Sequence, residues 1–177
     1  MSGNVKAQSD WFSIRAGAAG DEYVASSGDE VLVVPLTDSG EVLLAVEPSP
    51  AFGVAVRILP GGQVEPDLSL AEVANEELQE EIGYRAGRLD FLGELWPWAK
   101  YLAVRSHLFL ARDLAPSKLA GDEGYVIGVE AMPLAELEAW IADGRLRDAR
   151  AIAGLFLARV WHAHRSGDRF QSSTSKD

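Results

Sequence analysis

Cysteine is absent from this sequence of 177 residues, and basic residues are scarce. Without cysteine the chain can form neither a disulfide framework nor a thiolate metal site. Lys and Arg total 16 against 27 Asp and Glu, so the formal net charge is −11. Binding of extended nucleic acid needs a basic face, and the sequence has no such cluster, so we exclude that partner. A small anionic substrate fits if metal ions neutralise the carboxylates around it.

Long apolar runs are also missing. Runs such as VLVVPL and LFLA are far too short to span a bilayer. The first residues lack the basic segment and long apolar core of a secretory signal. The apolar content of 47% and the charged content of 24% are those of a soluble globular protein. We therefore expect a cytoplasmic protein without a membrane partner.

The pattern of apolar residues predicts strands first and helices last. WFSIRA and EYVAS look like short strands, and EVLVVPLTDSGEVLLAVEP reads as two strands of a hairpin around TDSG. Further strands are expected in VAVRILPGG, LDFLGELWPW, VRSHLFLARDL and YVIGVEAMP, and helices in PLAELEAWIADG and DARAIAGLFLARVWHAH. The last helix places on one face Ile152, Leu155, Phe156 and Val160. This order predicts a mixed sheet with helices on both sides.

The segment GGQVEPDLSLAEVANEELQEEIGY crowds five glutamates into one predicted helix. Ser69 and Glu72 have the spacing of a capping box, which starts the helix near Ser69 or Asp67. Gly83 is a natural terminator. The residues expected to form the buried stripe are Leu70, Val73, Ala74, Leu78 and Ile82.

Three glutamates of this helix are spaced to meet at one point. Glu77 lies three and four residues before Glu80 and Glu81, so their carboxylates can converge within one helical turn. A hard divalent cation such as Mg²⁺ or Mn²⁺ takes oxygen ligands and removes the repulsion between these charges. A solvated acidic face is the alternative interpretation.

The same segment resembles the Nudix box, G-x5-E-x7-R-E-U-x-E-E-x-G-U, in which U is a bulky apolar residue. The matching residues are Gly62, Glu77, Leu78, Glu80, Glu81 and Gly83, with Tyr84 a less usual final residue. Leu68 replaces the first glutamate of the motif and Glu76 replaces its arginine. In the family those two side chains brace the loop against the helix. Apolar packing through Leu68 can take over that role, because such ion pairs are replaceable at little cost.

The resemblance implies an α/β fold, a Nudix-type α/β/α sandwich with a mixed β-sheet and N-terminal extra strands. Residues 1–29 would form these strands, 30–165 the Nudix hydrolase domain and 166–177 a disordered tail. ARDLAPSKLAGDE and the helical segments after it look like ADP-ribose pyrophosphatases and ADP compounds hydrolases. The resemblance therefore implies hydrolysis of the pyrophosphate bond in a nucleoside diphosphate derivative, most nearly ADP-ribose or a related ADP compound, giving AMP. It also implies a homodimer.

The resemblance also implies roles for individual residues. Glu77, Glu80 and Glu81 would hold Mg²⁺ or Mn²⁺, with the carbonyl of Gly61 as a further ligand. Glu81 could serve as general base. Glu123 in the acidic loop GDEG is a second candidate, and an ordinary polar turn is the alternative there.

Four residues outside the box are candidates for substrate binding. Arg57, Lys100 and Arg105 could contact the diphosphate, although surface solvation explains each as well. Trp96 and Trp98 flank Pro97 in ELWPWAKY, where an aromatic side chain could stack on adenine. Trp98 is the candidate, and packing in a core or dimer interface is the alternative.

Two other functional hypotheses stay open. One keeps the fold and changes the substrate to nucleotide sugars, dinucleoside polyphosphates or nucleoside triphosphates. The other is a catalytically impaired domain that binds nucleotides, which the changes at Leu68 and Glu76 favour.

Overall fold

A computed structural model of the chain describes residues 5–17, 22–121 and 124–165. The predicted tail 166–177 and Glu123 lie outside these residues. The strands are β1 Val5–Gln8, β2 Phe12–Ala16, β3 Glu22–Ser26, β4 Glu30–Pro35, β5 Glu41–Ser49, β6 Val54–Ile58, β7 Gly61–Gln63, β8 Tyr84–Leu95, β9 Leu102–Ala103, β10 Ser106–Pro116 and β11 Gly128–Pro133. The helices are α1 Leu70–Glu77, continued by a π-helical turn Leu78–Ile82, then a 3-10 turn Leu134–Glu136, α2 Leu137–Ala142 and α3 Ala149–Arg165.

The strands form three sheets, in the orders β1-β2-β3-β9, β7-β4-β10-β8 and β11-β5-β6. In the second sheet β10 is parallel to β4 and antiparallel to β8, so this sheet is mixed. The N-terminal sheet is joined to the rest of the chain by β9, which pairs with β3.

The helices cover opposite faces of the central strands. Alternate residues of β4, β5 and β10 point into two different apolar clusters, as the period-two alternation of a strand requires. One cluster contains residues of α2 and α3, and the other contains residues of α1 and the π turn. The result is an α/β/α sandwich, and the predicted fold class is confirmed.

The glutamate-rich helix begins and ends where the sequence predicts. Ser69 caps α1, and Glu72 completes the capping box by accepting from the Ser69 backbone N–H at 2.8 Å. Gly83 ends the π turn in the left-handed conformation, φ 76°. Of the predicted buried stripe, Leu70 is partly buried. The other four residues are buried, namely Val73, Ala74, Leu78 and Ile82.

The predicted hairpin around TDSG is only partly correct. The turn forms, since the Thr37 N–H donates to the Glu41 carbonyl at 2.9 Å. Beyond a single bridge between Leu36 and Val42, however, β4 and β5 separate into different sheets. Each lies inside its own sheet, which fits the burial of β4 from Val31 to Pro35 and of β5 from Val42 to Ala45.

The predicted face of α3 is wrong for two of its four residues. Leu155 is fully buried and Ile152 is partly buried, but Phe156 and Val160 are exposed. Small residues let the helix approach the sheet closely instead: a Cβ on Gly154 would lie 2.8 Å from Cδ1 of Leu59. The buried side of the helix therefore follows its small residues rather than its largest ones.

Candidate functional site

The glycine turn of the box is held tightly against the central sheet. Gly61 and Gly62 belong to β7, which pairs antiparallel with β4. A Cβ on Gly61 would lie 2.0 Å from the carbonyl oxygen of Val31. Any larger residue would push the turn off the sheet, so glycine is required by close backbone approach.

Two of the three predicted metal ligands reach this turn. The Gly61 N–H donates to Oε2 of Glu81 at 3.3 Å, and Glu81 is only 5% exposed. A Cβ on Gly62 would lie 1.8 Å from Oε1 of Glu77. The second glycine therefore leaves the space that the Glu77 carboxylate occupies, and both side chains are positioned by the same turn.

The carboxylates sit where the helix changes its winding. Glu77 is the last residue of α1, whereas Glu80 and Glu81 belong to the π-helical turn. Single π turns within α-helices are rare and are often found at functional sites. No local sequence pattern predicts this turn. Because its winding is π-helical, the relative directions of the three carboxylates differ from those in a regular α-helix.

The chain that follows β10 is hydrogen-bonded to the end of the glutamate-rich helix. The Ser117 N–H donates to the Gly83 carbonyl at 2.9 Å, and its hydroxyl donates to Oε1 of Gln79 at 2.8 Å. Lys118 donates through its ammonium group to the backbone carbonyl of Glu80. This segment leads towards the acidic loop, so the chain that enters the loop is anchored beside the predicted metal ligands.

The two residues that depart from the Nudix box have different environments. Leu68 is partly buried and packs against the apolar cluster under α1, as expected for an apolar replacement of the ion pair. Glu76 is exposed on the outer face of α1. Neither leaves a buried charge without compensation, so the loop and helix stay in contact by packing.

The chemistry of the glutamates fits a divalent cation. Carboxylate oxygens are hard donors of the kind that Mg²⁺ and Mn²⁺ prefer, and the glycine turn positions two of them. Within residues 5–17, 22–121 and 124–165, no group of three or more acidic or histidine side chains is arranged as a metal site. The three glutamates thus fit a divalent cation in donor type, and the turn positions Glu77 and Glu81.

A cleft of about 520 Å³, the first cleft, begins at the glycine turn. Its lining includes Gly62 and Gln63 of the glycine turn, Phe12 at the start of β2, and Trp11 just before it. Both aromatic side chains are more than half exposed. The box therefore opens onto an aromatic wall, which suits a planar base.

A network of charges forms another part of the wall of the first cleft. Arg150, at the start of α3, donates to Oε2 of Glu30 at 2.7 Å, and Glu30 also accepts from the hydroxyl of Ser106. Burial lowers the pKa of Arg150, but the Glu30 and Asp148 carboxylates raise it by more, so its pKa lies above the ordinary value. Arg150 therefore stays charged and joins α3 to β4.

A smaller cleft of about 360 Å³, the second cleft, adjoins the first. The two clefts have in common Asp29, Leu102 and Val104. Trp96 and Arg105 also line the second cleft. We call the two adjoining clefts the groove; residues of the glycine turn line its first cleft.

Arg105 is the predicted substrate-binding residue that the structure places in this groove. Its backbone N–H donates to Oδ1 of Asp29 at 2.9 Å, and its side chain lies 3.5 Å from Oδ2 of Asp29 and 3.6 Å from Oε1 of Glu94. The Arg105 guanidinium thus places a positive charge next to the second cleft.

The other three predicted substrate-binding residues do not line either cleft. Arg57 forms an ion pair with Glu130 at 2.8 Å and donates to the Arg145 carbonyl. Trp98 and Lys100 both contact Tyr101, the first at 5.1 Å between ring centroids and the second at 5.0 Å from the ring. Among the described residues, the groove uses instead Trp11, Phe12, Asp29, Trp96 and Arg150, which no motif distinguishes.

Comparison with known proteins agrees with this geometry. The NUDIX domain family matches residues 27–155. The chain is 33% identical over 135 residues to ADP compounds hydrolase NudE of Escherichia coli (strain K12), covering 75% of this chain and 71% of that protein. A crystal structure of an ADP compounds hydrolase superposes with a TM-score of 0.79 at 27% identity, covering 96% of this chain and 95% of the other.

In the part of the chain that the structure describes, no helix combines the length and the apolar character needed to cross a bilayer.

Proposed function

Because the chain belongs to the Nudix family of pyrophosphohydrolases, we propose that it hydrolyses the diphosphate of ADP-ribose or a related ADP compound to release AMP, using Mg²⁺ or Mn²⁺. One observation carries the proposal. The glycine turn that positions Glu77 and Glu81 opens directly onto a cleft with an aromatic wall. A diphosphate at the turn and a base in the cleft can therefore be held at once.

The glutamates would supply the oxygen ligands that hold a cation against the anionic diphosphate. Nudix hydrolases generally use divalent metals, and a bound cation would screen the diphosphate and lower the pKa of a water ligand. We assign Glu77, Glu80 and Glu81 as its carboxylate ligands, with the carbonyl of Gly61 beside them. The tight packing of the glycine turn supports this assignment, because it holds the Glu77 and Glu81 carboxylates at one place.

A general base must take the proton of the attacking water. Glu81 is one candidate, since it is buried at the turn. Glu123 is the other, and the anchoring of Ser117 and Lys118 on the end of the glutamate helix supports it by fixing the start of its loop. Removal of the base should lower the rate by about 10²- to 10⁴-fold.

Substrate contacts follow from the groove. Arg105 is supported as a diphosphate or ribose contact by its place at the second cleft. Arg57, Lys100 and Trp98 remain proposed contacts with less support, because each is engaged elsewhere in the fold.

The test is a panel of ADP-ribose, other ADP compounds, nucleotide sugars and nucleoside triphosphates with Mg²⁺ or Mn²⁺, scored for AMP. We expect AMP from ADP-ribose and a loss of turnover in Glu80→Gln and Glu81→Gln. Glu76→Gln is the matched control, since Glu76 is exposed on the same helix. Equal turnover in all three variants would show that the metal assignment is wrong.

A second candidate function is nucleotide binding without hydrolysis. The observation that favours it is the absence of the family's loop brace, since Leu68 and Glu76 stand in its place. It predicts tight binding of ADP-ribose with no AMP formed under any metal condition.

We also propose a cytoplasmic homodimer in which the N-terminal strands of residues 1–29 help form the partner's site, while residues 30–165 form the hydrolase domain. Support comes from exposed apolar side chains on the N-terminal sheet, namely Val5, Trp11, Phe12 and Ile14. Light scattering after gel filtration tests the dimer, and a monomer at micromolar concentration would contradict it.

A further inference from the structure

We propose that residues 117–119 hold the π-helical turn in the winding that presents Glu80 and Glu81 to a cation, with Lys118 as the positioning residue. Lys118 touches neither cation nor substrate in this role, because it acts through the backbone of Glu80. The inference rests on the proposed function and deepens it, since it names what keeps two of the assigned ligands in place.

The π-helical turn leaves backbone carbonyls that need partners from outside the helix. The Gly83 N–H donates to the Leu78 carbonyl, which closes a turn one residue wider than that of an α-helix. The chain then leaves the helix and enters β8 at Tyr84. The last carbonyls of a helix have no partner further along it, so those after Leu78 must be satisfied by another segment.

Three consecutive residues after β10 each donate a hydrogen bond to one of these carbonyls or to the carbonyl that ends the turn. Segment 117–119 therefore caps the glutamate-rich helix from a distant part of the chain. The hydrogen bonds run from the Leu119 N–H to Gln79 at 3.2 Å, from the Lys118 ammonium to Glu80, and from the Ser117 N–H to Gly83 at 2.9 Å.

Lys118 makes the hydrogen bond that lies nearest the ligands. Its acceptor is the backbone carbonyl of Glu80, one residue before Glu81. An ammonium donor makes a charge-assisted hydrogen bond, which is roughly twice as strong as a neutral one. Residues 70–82 contain neither Lys nor Arg, so Lys118 also supplies the positive charge that stabilises the C-terminal end of a helix.

The residue before Lys118 is tied to the same helix through side chains. The Ser117 hydroxyl donates to Oε1 of Gln79 at 2.8 Å, and Nε2 of Gln79 donates to the Asn75 carbonyl at 2.8 Å. The Ala86 N–H donates in turn to Oδ1 of Asn75 at 2.9 Å. One continuous set of hydrogen bonds thus connects segment 117–119, the helix and β8.

Two effects of Lys118 on cation binding have opposite signs. Its positive charge repels a cation, so charge alone predicts tighter Mn²⁺ binding when Lys118 is replaced by a neutral residue. Positioning predicts weaker binding, because a relaxed turn no longer directs Glu80 and Glu81 to one point. The sign of the change in Kd therefore separates the two effects.

The experiment measures Mn²⁺ binding by electron paramagnetic resonance, without substrate, in the wild type and in variants of Lys118. We expect Kd to rise by about tenfold in Lys118→Met, which keeps the apolar stem and loses the donor. Lys118→Arg should restore most of the affinity. If Lys118→Met does not fold, Lys118→Gln carries the same comparison, with a smaller rise in Kd expected because it keeps a neutral donor.

Arg159→Met is the matched control. It removes one positive charge from an exposed ion pair with Glu138. Arg159 belongs to α3, which lies across the central strands from the glutamate-rich helix. Its Kd for Mn²⁺ should equal that of the wild type.

Two further measurements separate positioning from a general loss of structure. In metal-free protein, the Gly83 amide, which closes the π turn, should exchange its hydrogen faster in Lys118→Met, while the midpoint of thermal unfolding falls by less than about 4 °C. With excess Mn²⁺, the kcat of Lys118→Met for ADP-ribose should return close to the wild-type value, because the defect lies in metal affinity.

The inference alone is overturned if the wild type binds Mn²⁺ and releases AMP, yet Lys118→Met binds Mn²⁺ as tightly or more tightly. The same holds if Arg159→Met loses equal affinity, if Gly83 exchange is unchanged, or if excess Mn²⁺ fails to restore kcat. A wild type that binds Mn²⁺ and releases no AMP from any ADP compound contradicts the proposed hydrolysis, and the Kd values then decide the role of Lys118. A wild type that binds no Mn²⁺ contradicts both.

Discussion

The glycine turn and the segment 96–105 border the same groove, but they are held in place by different interactions. The turn is fixed by backbone pairing with β4 and by contacts too close for any side chain. The segment 96–105 is held by the two-residue strand β9, by hydrogen bonds of its turn such as that from the Tyr101 N–H to the Trp98 carbonyl, and by half-exposed ion pairs of Arg105. We infer that bond cleavage is assigned to the rigid side and substrate choice to the side that tolerates change.

The largest effect should come from Gly62→Ala, on the rigid side. A Cβ there would lie 1.8 Å from Oε1 of Glu77, so the carboxylate must move away from the turn. A displacement of about 1 Å at such a site can cost about 100-fold in rate. Steady-state turnover with Mg²⁺ measures the loss, and circular dichroism should show an intact fold.

Gly40→Ala is the control for this comparison. Gly40 has a φ of 82° in the TDSG turn and open space around its Cβ position, so alanine adds strain but no clash. We expect about 1 kcal/mol less stability with kcat/KM unchanged. If Gly62→Ala also lowered the free energy of unfolding and left kcat/KM unchanged, the turn would have no catalytic role.

The next largest effect is expected from Arg150, which joins α3 to β4 in the wall of the first cleft. Arg150→Ala removes the ion pair with Glu30 and leaves that carboxylate partly buried. We expect the free energy of unfolding to fall by about 1–3 kcal/mol, measured by urea denaturation. Arg159 lies on the same helix as Arg150 and forms an exposed ion pair with Glu138 of α2. Arg159→Ala should therefore leave the urea midpoint of unfolding nearly unchanged.

A smaller effect is expected when the missing brace of the box is restored. Leu68 already packs against the apolar cluster, so Leu68→Glu with Glu76→Arg should change kcat by less than about threefold, since such pairs and apolar packing are nearly equivalent. A much larger gain would show that the native turn is poorly positioned and would favour the binding-only function.

The smallest expected effect is a change in the pKa of Glu72 when its Ser69 partner is altered. Hydrogen bonds from the Ser69 side chain and backbone lower the pKa of Glu72 below 4.5. Because the folded pKa is depressed, the stabilisation is present above pH 4.5 and is lost as the pH falls through the folded value. An NMR titration should show the pKa of Glu72 rising in Ser69→Ala and staying low in Ser69→Thr, whereas an unchanged pKa in both variants would contradict the capping box.

The sequence predicted the glycine turn and the helix after it far better than it predicted the segment 96–105. Glycine spacing and the Ser69 cap are local signals, and the structure keeps both of them. The separation of β4 from β5 and the buried face of α3 depend on distant packing, which no local pattern reports. Likewise, only the fold shows that Trp96 rather than Trp98 lines the groove.

The central claim is that Glu77, Glu80 and Glu81 hold a divalent cation at the glycine turn. The most direct test is Mn²⁺ binding followed by electron paramagnetic resonance in the wild type, in Glu77→Gln, Glu80→Gln and Glu81→Gln, and in the control Glu76→Gln. We expect Kd to rise by about tenfold or more in each of the three variants and to stay unchanged in the control. Equal affinity in all five proteins would contradict the account.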